Sequence, residues 1–249
     1  MSLGEVFRDD AVARAYQRRP PYPEAVFKRL QRRLVAPRIV LDAGAGTGAL
    51  ARRMTGFAER IDAVEPSAAM IAEGRGLPGG SNRRIRWIVG RAEDAPLDPP
   101  YGLIACGASL HWMDPGLVLP RFREALAPGA YLAIVDNENV HGPYREEVWA
   151  ITDRYAAAAH HPETPHAIAA VRASGLFTVE DEERTEPASF EQSVAEYIEF
   201  LHSTSVLTSA QLGDRAAAFD GEVRAVFARH GIERLRYGVV GSVTWAAAR

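Results

Sequence analysis

The spacing of apolar positions changes along this chain. Over residues 4–17, Val6, Phe7, Val12 and Ala13 share one face among charged neighbours, which predicts an amphipathic helix. Pro20, Pro21 and Pro23 close it, and a second helix over 23–34 carries proline in its first turn. Short apolar runs then alternate with helical ones. Strands are expected at 38–44, 59–67, 83–90, 101–109 and 130–138, and helices at 47–56, 67–73 and 115–129, the last with Pro120 as a point of bending. This alternation predicts an α/β fold, a parallel sheet covered on both faces and wound with right-handed crossovers.

After about residue 140 the rhythm changes. Helices are expected at 142–160, near 165–174, at 191–205 and at 209–231, with a long strand at 177–190 and a final strand at 237–249. No Pro/Gly/Ser-rich linker divides the chain. The expected organisation is one domain over 1–249: an N-terminal helical element (1–36), a core (37–140), lid insertions with a sixth strand (141–235) and a last strand (236–249).

Composition narrows the classes. The chain has 249 residues, 47% hydrophobic, with a net charge of −3, so a polynucleotide partner is not expected. Lys28 is the one lysine among many arginines, which the acids balance. A single cysteine, Cys106, rules out an internal disulfide and argues against a cysteine zinc site. The first residues, MSLGEVFRDD, show no apolar signal segment, and no run of about 18 apolar residues occurs. A cytoplasmic monomer or homodimer without membrane contact is the expectation.

The chemistry concentrates in VLDAGAGTGALARRM, residues 40–54. Gly44-Ala45-Gly46-Thr47-Gly48-Ala49 satisfies G-x-G-x-x-A, and Glu65 lies 21 residues beyond Gly44, at the end of the next strand. A carboxylate there accepts hydrogen bonds from both hydroxyls of an adenosine ribose. NAD and S-adenosylmethionine therefore fit equally well up to this point. Asp42 separates them. A pyrophosphate beside it would be repelled by about 4 kcal/mol per charge pair at 4 Å, whereas the ammonium and sulfonium of S-adenosylmethionine are cationic. A tight strand–helix turn with no ligand is the bland alternative.

LDAGAGTG resembles the cofactor loop of class I S-adenosylmethionine-dependent methyltransferases. AVEPSAAM (63–70), GRAEDAPL (90–97), ASLHWMD (108–114), REALAPGAYLAIV (123–135), YQRRPPYP (16–23) and YIEFLHSTS (197–205) are similar, in order, to further elements of its small-molecule branch, the methyltransferase type 11 group. The resemblance implies a Rossmann-like seven-stranded sheet of order 3-2-1-4-5-7-6, strand seven antiparallel, with a helical lid. It implies that Gly44, Gly46 and Gly48 line the methionyl part of the cofactor, with Asp42 behind them, Glu65 on the ribose, and Pro66 and Ser67 along the adenine. Arg91 stands where many relatives carry aspartate, which leaves Glu93, beside the Ala92 backbone, for the adenine amino group; the alternative is a helix cap. Cys106 and Gly107 would lie next to the cofactor, Cys106 as a small buried residue or as a reactive thiol. Tyr16 and Arg19 would close over the ligand, Arg19 pairing its carboxylate or a surface acid instead.

His111 and Trp112 follow the fourth strand, where a methyl acceptor would approach. His111 is a candidate general base, or else the pair shapes the pocket. Tyr144, Trp149, Tyr197 and His202 fall in lid segments and either contact substrate or fill a core. His160, His161 and His166 have conceivable metal spacing, yet no acid or cysteine motif accompanies them, and a loop without metal is expected. The expected activity is methyl transfer to a small organic acceptor by in-line displacement. A nicotinamide-dependent oxidoreductase and an S-adenosylmethionine-binding protein without methyl transfer remain the alternatives.

Overall fold

The computed structural model describes residues 10–140, 142–156 and 167–249. In chain order the elements are α1 (Asp10–Ala15), a 3₁₀ turn (Tyr16–Arg18), α2 (Glu24–Arg33), β1 (Ile39–Ala43), α3 (Ala51–Met54), β2 (Arg60–Glu65), α4 (Ala68–Gly76), β3 (Ile85–Val89) and β4 (Tyr101–Gly107). A 3₁₀ turn (Leu110–Trp112), α5 (Pro115–Ala125), β5 (Leu126–Val140), α6 (Arg145–Ala156), α7 (Ala167–Ala173), β6 (Phe177–Arg184) and β7 (Ala188–Ser193) follow. The chain ends with α8 (Val194–His202), α9 (Ser209–Leu212), a 3₁₀ turn (Gly213–Arg215), α10 (Ala216–Arg229) and β8 (Arg234–Ala248).

The sheet runs β3-β2-β1-β4-β5-β8-β6, with β7 pairing β8 off this path. β1 lies parallel to β2 and β4, β2 to β3, and β4 to β5, while β6 and β7 run antiparallel to β8. This is the expected order with one strand added. The predicted strand 177–190 divides at Pro187 into β6 and β7, because the long β8 offers its second half to β6 and its first half to β7. Helix 47–56 shortens to α3, since the glycine turn before it takes left-handed dihedrals that no α-helix admits. The helix expected at 209–231 breaks at Gly213, which has φ +54°.

Two compact units result: Pro21–Glu138, Thr164–Glu186 and Val240–Arg249 form one, and Met1–Pro20, Asn139–Glu163 and Pro187–Val239 the other. In the first, both sheet faces are buried, as a parallel sheet requires. Alternation along each strand sends Val40 and Leu103 to one core, with Leu30, Leu50, Met54 and Trp245, and Leu41 and Ile104 to the other, with Phe122, Leu132 and Phe177. Each such side chain contributes about 1.5–3 kcal/mol of burial. The second unit has its own aromatic core, where Tyr144 and Tyr197 meet Phe227 edge-on and Tyr155 meets Phe219.

Candidate active site

The chain leaves β1 through a turn in which Gly44, Gly46 and Gly48 have φ of +69°, +56° and +75°, conformations that carry little cost only for glycine. The N–H groups of Gly44 and Ala45 both donate to the Val64 carbonyl, at 2.9 and 3.0 Å, which pins the turn to β2. Gly44 also needs its bare Cα for space: a Cβ there would stand 2.6 Å from the Ser109 Cβ.

Two buried carboxylates flank this turn. Glu65, at the end of β2, accepts from the Gly46 N–H through Oε2 and from the Ser67 N–H through Oε1, both at 2.9 Å. Each oxygen keeps lone-pair capacity for a further donor. Burial pushes the Glu65 carboxyl above its ordinary value, against the pull of those two N–H groups. Asp42 is deeper, 1% exposed, and its Oδ2 accepts the Ala51 N–H at 2.9 Å. Burial, opposed by that bond and reinforced by Glu65, pushes its carboxyl up to about 7. Asp42 therefore anchors the glycine turn to the start of α3 as well as charging its underside. With its carboxyl pushed up this far, Asp42 repels a diphosphate less than a carboxylate of ordinary acidity would, and Glu65 shares that task.

The segment after β4 is bound to the same turn. Ala108 adopts φ +48°, a left-handed conformation costing a non-glycine residue about 1–2 kcal/mol, and its N–H donates to the Val135 carbonyl at 2.8 Å. The Ser109 hydroxyl donates to the Ala43 carbonyl at 2.6 Å. His111 and Trp112 follow in the 3₁₀ turn, their rings 4.7 Å apart. His111 also lines a small, largely apolar pocket with Leu110, Met113, Leu119, Ala170 and Val171. Cys106 is wholly buried and its thiol is pushed far up by burial and by the nearby Asp42, so it is a core residue and not a nucleophile. Gly107 is next to it; a Cβ there would come within 2.8 Å of Leu50 Cδ1 and 3.0 Å of Tyr22 Oη.

Glu93 has partners within the protein. Its carboxylate accepts from the Arg91 guanidinium and the Asp114 N–H, each at 3.0 Å on Oε1, with a second Arg91 contact at 3.3 Å on Oε2. Burial works against ionisation here, yet Arg91 and Asp114 outweigh it and hold the carboxyl below its ordinary value. Glu93 thus ties its own loop to the start of α5, and Arg91, the departure from the resemblance, is its partner. Ala92 is buried beside it, and Pro66 is exposed.

Tyr16, Arg19, Tyr144 and His202 belong to the second unit. The Arg19 guanidinium lies 3.9 Å over the Tyr16 ring and donates to Ser203 Oγ at 3.0 Å and to the Ser203 carbonyl at 2.7 Å, at the end of α8. Tyr144 and Tyr197 are buried, their hydroxyls raised by burial. His202 has Nδ1 2.8 Å from the Leu207 carbonyl and Nε2 2.8 Å from Asp220 Oδ1, a bracing position between α8 and α10. Trp149 is exposed under the Arg145 guanidinium. His160, His161 and His166 lie outside the described residues, and among the described ones no group of three or more His, Cys, Asp or Glu could hold a metal. Among the described residues no helix is long and apolar enough to cross a membrane. The sequence reading missed Ser109, Met113 and Tyr22; a small hydroxyl residue immediately after an apolar strand was the available signal for Ser109.

Comparison with known proteins agrees with this geometry. Residues 40–129 match the model of the methyltransferase domain family. Uncharacterized methyltransferases of Mycobacterium bovis and Mycobacterium tuberculosis are each 36% identical over 127 residues, 49% of this chain and 49% of theirs. The chain thus spans about half the length of the curated relatives it matches. A structure from Anaeromyxobacter dehalogenans, assigned as a type II methyltransferase, is 26% identical, with a TM-score of 0.65 over 93% of this chain and 97% of that one. An S-adenosylmethionine-dependent methyltransferase from Thiobacillus denitrificans, solved with S-adenosyl-L-homocysteine, shares the fold at 16% identity and a TM-score of 0.54, over 96% of this chain and 97% of that one. The segment that matches the methyltransferase domain model spans the glycine turn, and the fold is shared with solved methyltransferase structures.

Proposed function

We propose that this protein transfers a methyl group from S-adenosylmethionine to a small organic acceptor by in-line displacement. The observation that carries the reading is Glu65: a buried carboxylate held by Gly46 and Ser67 N–H groups at the rim of a left-handed glycine turn, with a second carboxylate, Asp42, beneath it. That arrangement suits a ribose and a cationic amino-acid tail and disfavours a diphosphate. The donor supplies an electrophilic methyl on a cationic sulfur. The chain's own task is alignment and exclusion of water. Glu65 holds the ribose, the bare Gly44 makes room for Ser109, and Ser109 fixes the ends of β1 and β4 against each other. His111, placed after β4, serves as general base where the acceptor must lose a proton.

Isothermal titration with S-adenosylhomocysteine and, separately, NADH tests the reading. Binding of the former with no heat from the latter is expected, and the reverse overturns it. Labelled methyl donor offered with panels of small hydroxyl, amine and carboxylate acceptors then tests transfer. Tight donor binding with no transfer to any panel member would make the protein a binder only.

A further inference from the structure

The pocket beside His111 lies within the first unit, between the 3₁₀ turn that follows β4 and helix α7. Leu119 and Val171 line it and are fully buried, so it reaches into the packed layer between α5 and α7. Ala167 and Ala170, three positions apart on one face of α7, present only methyl groups to it. A longer side chain at either position would fill the space. Apart from His111 its described lining residues are apolar, and a polar group seated against them would lose its hydration without a partner.

One side chain joins this pocket to the glycine turn. Met113 lines the pocket, and its Cε lies 3.2 Å from the position that a Gly44 Cβ would occupy. A single thioether therefore stands between the pocket and the turn that leaves β1. Methionine is unbranched and flexible, so it can adapt to what lies on either side of it.

We propose that this pocket receives the apolar end of the methyl acceptor, and that the acceptor carries a short aliphatic group, methyl to isopropyl in size, close to its reacting heteroatom. The inference rests on the methyltransferase reading above and narrows its acceptor. The heteroatom lies toward His111 and the aliphatic end against Val171 and Leu119, out of water. Seating that end fixes the direction of the rest of the molecule, and Met113 is the wall shared with the donor.

The test uses protein isotopically labelled at its methionine methyl groups and read by NMR, with the Met113 signal assigned by its loss in Met113→Leu. S-adenosylhomocysteine is expected to shift that signal. Isobutanol added to the complex is expected to shift it further and saturably, while Met54 and Met70, buried elsewhere, do not respond. Glycerol, polar at every carbon, is expected to have no effect. Ala170→Leu should weaken the isobutanol response about tenfold with S-adenosylhomocysteine still bound. Ala167→Leu fills the same space and stands in if that variant folds poorly. An absent isobutanol response, an equal response to glycerol, or a response unchanged in a folded, filled variant overturns the proposal. So does a Met113 signal that ignores bound S-adenosylhomocysteine, because the pocket then lies away from the donor. Each of these outcomes leaves the methyltransferase reading intact, whereas a wild type that binds no S-adenosylhomocysteine by calorimetry overturns both.

Discussion

Asp42→Asn should stabilise the unliganded protein progressively as pH rises. Asp42 is 1% exposed and its carboxyl is pushed from an ordinary 3.8 up to about 7, mainly by burial. Between those two values the folded chain holds a proton that the unfolded chain has released, so raising the pH costs stability. The penalty is roughly 2 kcal/mol at pH 5 and roughly 4 kcal/mol at pH 8, and it levels off above the folded value. Asparagine keeps an oxygen for the Ala51 N–H and carries no charge. Its extra amide protons impose a cost of about 1–2 kcal/mol, but one independent of pH.

The observable is therefore the change in the gap between variant and wild type, which should widen by roughly 2–3 kcal/mol from pH 5 to pH 8 in urea denaturation. Donor binding should respond oppositely. A cationic ligand favours ionised Asp42, so wild-type affinity should rise up to about tenfold between pH 6 and pH 8, while the variant binds weakly and without that slope. A gap constant with pH, or a variant that loses stability faster than the wild type above pH 7, would refute the assignment of the charge to a buried Asp42.

Gly48→Ala should destabilise by about 2–4 kcal/mol in chemical denaturation. It combines φ +75° with a Cβ 2.6 Å from Trp87 Cη2, and the Trp87 indole is held by a 2.9 Å bond to the Gly80 carbonyl. Cys106 should resist a thiol reagent in the native protein and react on unfolding; fast native labelling would contradict its burial. His202→Ala should lower stability by about 1–3 kcal/mol through loss of the Leu207 and Asp220 contacts; lost turnover at unchanged stability would instead make it a substrate residue. His111→Ala should abolish turnover on a hydroxyl acceptor with cofactor affinity, read by calorimetry, nearly unchanged, and unaltered turnover would remove it from the role of base.

What can be read from this sequence follows from how far apart the cooperating residues lie. The glycine turn is legible because it is a local requirement: Asp42, the left-handed glycines and Glu65 all fall between residues 42 and 65, and strand–turn–helix spacing alone brings them together. The alternation of strand and helix through β5 is legible for the same reason. Where a role is set by a partner across the sheet, residue type shows through but the partner does not. Glu93 reads as an acid for the adenine or a helix cap, and the pattern does not show that the Asp114 N–H and the Arg91 guanidinium both reach it. Arg19 reads as a carboxylate clamp, yet Ser203, far along the chain, supplies two of its acceptors. β6 and β7 read as one alternating strand because the pattern cannot reveal that β8 is long enough to seat two partners. Ser109 and Tyr22 escaped for a further reason: their importance is a matter of what stands beside a bare glycine, and a glycine in a sequence does not say whether its missing Cβ makes way for a turn, a ligand or a neighbouring side chain. At Gly44 the structure shows a turn and a neighbour at once, and at Gly107 it shows a neighbour. The glycine turn is therefore written in short-range pattern, whereas its seat against Ser109 is written in the register between β1 and β4.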